Sequence, residues 1–148
     1  MIHLKRFNEG QFYTVENILY EFAKDNLAYV LDIEGMKMSL GIDKRLSDSG
    51  RFNYYEFNLT NPYFFQWRDI KDHFIPFLQR LQRLNYVTVC PLGTGESQGK
   101  EIKVRTIRED EFGFIKNVYY SLEDALSDDD SFYSRDISKI TFYIKQTN

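Results

Sequence analysis

From Tyr63 to Leu84 the apolar residues return at alternating spacings of four and three: Tyr63, Trp67, Ile70, Phe74, Phe77, Leu81 and Leu84. That is the spacing of one buried helix face. Asn61 is expected to cap this helix with Pro62 at its first position. Pro76 sits inside the pattern and removes a backbone hydrogen bond, but the apolar phase survives across it, so one kinked helix is expected rather than two. From Tyr86 the period falls to two, and Tyr86–Leu92, Glu101–Arg108 and Phe112–Tyr120 read as an antiparallel meander.

The rest of the chain fits around these elements. Ile2–Phe7 reads as a short strand with Asn8–Gly10 as its turn. A first helix follows, capped by Thr14, with Val15, Ile18, Leu19 and Phe22 on one face. Leu27–Glu34 alternates, and Gly35 offers a break before Met36–Ile42, which suggests a hairpin. Beyond the polar stretch Asp43–Gly50, the strand Arg51–Phe57 sends Phe52 and Tyr54 one way and Tyr55 and Phe57 the other. Ser121 can cap a short helix carrying Leu122, Ala125 and Leu126, with Asp124 completing a capping box. Ile137–Lys145 closes the chain, Ile140, Phe142 and Ile144 facing inward and Lys139, Thr141, Tyr143 and Lys145 outward. The fold class is therefore α+β over residues 1–148 as one domain: a largely antiparallel sheet carrying two main helices and one short one. Its first part can follow a ferredoxin-like β-α-β-β-α-β path.

Composition narrows the function. The 148 residues are 43% hydrophobic and 28% charged, an ordinary balance for a folded domain. No apolar run reaches the ~18 to 20 residues of a membrane span, the N-terminus lacks the pattern of a signal peptide, and the lone Cys90 cannot form an internal disulfide. These features point to the cytosol, with no membrane partner. Through Arg108 the chain carries 15 Lys and Arg against 13 Asp and Glu, and from Glu109 onward 4 against 9, so the acidity lies toward the C-terminus. A strong overall basic field is absent, although a local patch remains open.

The motifs of catalysis are sparse. Gly93–Lys100 resembles a phosphate loop only in composition: Thr94 stands where the first glycine is required, Glu101 follows the lysine, and a strand comes next. Glu101-Ile102-Lys103 supplies half of a metal-dependent nuclease core, but Tyr86–Cys90 holds no acidic residue and Glu96 falls in the loop, which leaves Asp32 or Glu34 to complete it only through a long-range meeting. Cys90, His73 and Asp72 have suitable residue types for a nucleophilic triad and nothing more. Asp128-Asp129-Asp130 lacks the glycine and distal glutamate of a calcium loop. No cofactor and no metal site is expected.

Aromatic residues are the surplus: Tyr 11, Phe 13 and Trp 1 make up 17% of the chain. Rings build cores and also recognition surfaces, because each covers a large area with few rotatable bonds. The expectation is a small protein that works by binding another macromolecule, foremost a protein, as inhibitors, adaptors and immunity proteins of bacteria or their phages do, without catalysis. Its candidate contacts are Tyr54, Tyr63, Phe65 and Trp67, with Asp128, Asp129 and Asp130 as an acidic feature. The alternative is RNA or DNA binding on an aromatic and basic sheet face. Phe52, Tyr54 and Phe57 fall where an RNP1-type strand places rings, and Lys103, Arg105, Lys139, Tyr143 and Lys145 form a stripe if their strands are neighbours.

Overall fold

A computed structural model describes residues 14–43, 54–89, 99–107, 112–127 and 136–146. The expected strand Ile2–Phe7 and its turn, His3, most of the Asp43–Gly50 loop, Phe52, Cys90, most of the Gly93–Lys100 loop and Asp128–Asp130 lie outside these residues.

Helix α1 (Val15–Asn26) starts where expected: Thr14 Oγ1 accepts from Asn17 N at 3.2 Å, and Glu16 occupies the first turn. The expected strand at Leu27–Glu34 is instead a further helical turn, α2 (Ala28–Leu31). Leu27 N bonds Ala23 O and Leu31 N bonds Leu27 O, so the backbone continues almost without a break. The cause is legible in burial. Leu19, Ala23, Leu27 and Val30 are all buried and repeat at spacings of four, four and three, one apolar face extended past Asn26.

Strand β1 (Lys37–Ile42) therefore pairs with β2 (Tyr54–Phe65) rather than with residues 27–34, in antiparallel register from Lys37↔Thr60 to Ile42↔Tyr55. β2 also runs further than expected, and this corrects the start of the second helix. Asn61 is a buried hub and not a cap: its Nδ2 donates to Glu34 O at 3.0 Å and its Oδ1 accepts from Tyr63 N at 2.9 Å. Pro62 falls in an irregular stretch between Thr60 and Phe65, the kind of position where a strand tolerates a missing N–H. Helix α3 (Trp67–Arg83) begins after Gln66, whose N–H is held by Asp69 Oδ2 at 2.9 Å. It stays one helix through Pro76, with Trp67, Ile70, Phe74, Phe77, Leu78 and Leu81 buried.

The remaining elements are β3 (Tyr86–Val89), β4 (Ile102–Ile107), β5 (Ile115–Tyr120), the short α4 (Leu122–Leu126) and β6 (Ile137–Gln146). The six-stranded sheet has the order β1-β2-β6-β4-β5. β4 and β5 form the expected hairpin, but β3 pairs with β6 and not with β4. One edge of β6 meets β2 along most of its length, while the other edge meets β4 at its start and β3 at its end. β2 and β3 are both antiparallel to β6 and so parallel to each other, joined by α3 in one split β-α-β unit. The ferredoxin-like path for the first part depends on Ile2–Phe7, outside the described residues.

Buried residues of all the helices join the sheet residues Phe57, Leu59, Ile102, Val104, Ile140, Phe142 and Ile144 in one core cluster. Rings dominate its centre. Phe57 stacks on Phe142 with centroids 4.6 Å apart, and Phe74 meets both edge-on. No helix among the described residues is long and apolar enough to cross a membrane.

Candidate functional site

The four candidate contact rings divide between inside and outside. Trp67 and Phe65 are buried, which removes them from any exposed docking face: Trp67 opens the apolar stripe of α3 and meets Phe74 edge-on at 5.4 Å, and Phe65 pairs with Ile137 at the start of β6. Tyr54 is half-buried, with Lys145 Nζ 5.9 Å from its ring centre. Tyr63 is exposed and lies over Gly35, where φ is +81° and a β-carbon would come within 2.6 Å of the ring. Asp128, Asp129 and Asp130 are outside the described residues.

Among the described residues a further group of exposed apolar side chains lies outside the four candidates. Phe112, Phe114 and Ile115 are 68%, 58% and 67% exposed at the tip of the β4–β5 hairpin. Gly113 at φ +59° turns the chain between the two phenylalanines, and their rings stack 5.8 Å apart at 27°. Hairpin turns are normally polar, so an apolar run directly after Glu109-Asp110-Glu111 was the available signal. A period of two passes through Phe112–Tyr120 and conceals this run within the strand pattern. A second exposed ring, Tyr29 on α2, stacks on His73 of α3 at 5.1 Å.

The sheet face opposite the helices has a different chemistry. Registers place Glu56 opposite Tyr143 and Asn58 opposite Thr141 on β2 and β6. Tyr143 Oη donates to Glu56 Oε2 at 3.0 Å, Asn58 Nδ2 donates to Glu56 Oε1 at 2.7 Å, and Thr141 Oγ1 donates to Asn58 Oδ1 at 2.7 Å. Each polar atom in this chain has a partner, which permits Thr141 and Tyr143 to be buried at 4% and 7% exposure. Burial holds the Tyr143 phenol well above its ordinary pKa, and the bond to Glu56 and the charges of Glu56 and Asp43 push the same way. Beside this network a shallow hollow of about 330 Å³ is lined by Ser39–Asp43, Glu56 and Asn58.

β4 and β6 are neighbours, the condition on which the basic stripe depends. Arg105 sits opposite Lys139 and Lys103 opposite Thr141, on the face turned away from the core cluster, with Lys145 further along β6. Tyr143 belongs to the same face but is committed to Glu56, so it does not serve as a displayed ring. Phe52 lies outside the described residues.

The Glu101-Ile102-Lys103 motif has a structural occupation. Glu101 Oε2 accepts from Leu122 N at 2.7 Å and so anchors the first turn of α4, where Ser121 Oγ accepts from Asp124 N at 3.1 Å. Among the described residues no three His, Cys, Asp or Glu side chains come together in a metal-binding cluster. No protein-family model, curated protein or solved structure matches the chain. The functional reading rests on surface geometry.

Proposed function

We propose that this is a cytosolic binding protein whose partner is another protein, and that the β4–β5 hairpin tip is its anchor. The observation that carries this reading is the stacked and exposed pair Phe112 and Phe114 with Ile115 beside them. Their exposure keeps apolar area in water at roughly 25 cal/mol per Å², a cost that contact with a partner pocket would relieve. Exposed aromatic residues that stack on one another are of the type enriched at the centre of protein interfaces. The acidic run Glu109-Asp110-Glu111 precedes them in the chain, so the complementary surface is an apolar pocket with a basic rim. An inhibitor or adaptor acts through such a contact without bond-making chemistry.

The test compares the wild-type chain with the Phe112→Ser/Phe114→Ser double variant in affinity capture from the cells that make it. The expected result is one specific partner retained by the wild type and lost by the variant, with thermal melts that agree within a few degrees. Capture of the same partner by both forms, or of none by the wild type, removes the proposal. Tyr20→Ser, an exposed ring on α1, serves as the control and should leave capture unchanged.

A further inference from the structure

Arg105 and Lys139 occupy directly opposed positions on neighbouring strands, and Lys103 lies two residues from Arg105 on the same face of β4. Side chains so placed start about 5 Å apart across the pair and about 7 Å apart on the diagonal. Like charges at this spacing repel, and a sheet ordinarily answers them with a carboxylate in an adjacent row. None is there. Their cross-strand neighbours on this face are Thr60 on β2, Thr141 on β6, and Asn117 and Tyr119 on β5, all uncharged. Lys37 continues the row of Arg105 and Lys139 beyond Thr60. Glu56 and Asp43, the carboxylates nearest the hollow, lie toward the other end of the face, where Tyr143 engages Glu56.

We propose that Lys103, Arg105 and Lys139 form a phosphate-binding site for single-stranded nucleic acid. An oxyanion placed among them neutralises a repulsion that no ion pair among the described residues relieves. Arg105 is exposed and Lys103 and Lys139 are half-buried, so the cationic ends reach solvent while their stems lie along the sheet. The ring beside them selects nucleic acid over an acidic polypeptide. Tyr119 stands opposite Lys103 on the same face and is half-buried, which gives a base a surface to stack on next to its phosphate. The net charge of −3 does not oppose this. At physiological salt a field extends only about 8 Å, so a phosphate senses the local rows and not the whole chain.

The experiment measures binding of a fluorescein-labelled 20-nucleotide oligothymidylate, and of its uridylate counterpart, to the full chain from 50 to 200 mM salt. Binding should weaken steeply with salt. Arg105→Gln/Lys139→Gln should lower affinity about tenfold or more and flatten the plot of log K against log salt by roughly 0.7 for each cation removed. Tyr119→Ala should weaken oligonucleotide binding and leave any binding of a poly-glutamate peptide unaltered. Lys116→Ala, one position along β5 and therefore on the other side of the strand, should change nothing. The proposal is overturned if poly-glutamate of equal charge binds as tightly as the oligonucleotide, if Lys116→Ala acts like the paired variant, or if the wild type binds no oligonucleotide at 50 mM salt. Loss of binding together with a lowered melting temperature in the Gln pair would also overturn it, because removing a repulsion should leave the fold as stable or more so.

Discussion

The same two strands, β2 and β6, build opposite chemistries on their two faces. Toward the helices Phe57 stacks on Phe142 and both meet Phe74. Toward the open side, one residue out of phase, Glu56, Asn58, Thr141 and Tyr143 form a chain of hydrogen bonds. Both faces bury residues, but for different reasons. The ring face is held by area removed from water and by close packing, which have little directionality. The polar face is held by donors matched to acceptors, so a single atom decides whether burial is tolerated.

The largest effect should come from the ring face. Phe57→Ala removes a fully buried ring at the meeting point of the sheet and α3 and should cost about 3–5 kcal/mol, read as a lowered urea midpoint or outright unfolding. Phe57→Leu, which keeps much of the volume, should cost well under half as much. Equal losses from both would show that ring packing does not set this face apart.

The polar face should respond to one oxygen. Tyr143→Phe keeps the ring and deletes the donor to Glu56, at an expected cost of about 1–2 kcal/mol. It should also alter the pH profile. The folded pKa of Tyr143 is raised, first by burial and then by Glu56. Its contribution is therefore present in full below the unfolded phenol value of about 10 and fades as pH rises from there toward the higher folded value. Tyr86 is also raised, by burial and then by Tyr55, so the difference between wild type and Tyr143→Phe isolates one phenol. That difference should shrink in urea titrations above pH 10. A difference that stays constant from pH 7 to pH 11 would mean that folding does not raise the Tyr143 pKa, and a difference near zero at pH 7 that the bond to Glu56 contributes nothing.

What the sequence revealed divides along the same line. Periods report which residues share a face, and the apolar faces of α1, α3, β4 and β6 are all legible in spacing. The parity that separates Tyr55 and Phe57 from Tyr54 is equally clear. Periods do not report which strands are neighbours, so the pairing of β3 with β6 and the meeting of Asn58 with Thr141, 83 positions later in the chain, could not be read. Local signals also compete. Leu27–Glu34 alternates like a strand, but the four-four-three phase inherited from Leu19 and Ala23 carried it into the helix. Asn61-Pro62 looks like a helix start, yet the ring-rich Tyr63-Phe64-Phe65 extends the strand, and Phe64 adopts φ +68° at its irregular end. Trp67 and Phe65 illustrate the remaining gap: ring count says nothing about which rings face water. The hairpin tip was visible only as a violated expectation, an apolar run where a turn should be polar.

The smallest test concerns α4, where charge rather than ring area positions an element against the core. Ala125 is fully buried, but the helix has 5 residues, too few to stand without its cap. Glu101 holds Leu122 N, and Asp124 Oδ2 accepts from Ser121 N at 3.1 Å and lies 3.5 Å from Lys100 Nζ. The bonds to Ser121, ahead of the charge of Lys100, draw the Asp124 carboxyl below its ordinary range. The sign follows from linkage: a depressed folded pKa contributes stability above the unfolded value of about 3.9 and loses it as pH falls through the folded one. The side chain is 49% exposed, and solvent screening limits the effect to about 0.5 kcal/mol. Asp124→Asn should therefore unfold at slightly lower urea than wild type at pH 7, and the gap should close by pH 2. High salt should narrow the gap at pH 7 only in part, since the bonds to Ser121 are short and directional while the Lys100 contact is exposed. A gap of the same size at both pH values would assign the effect to side-chain shape and take charge out of the account of how α4 is held.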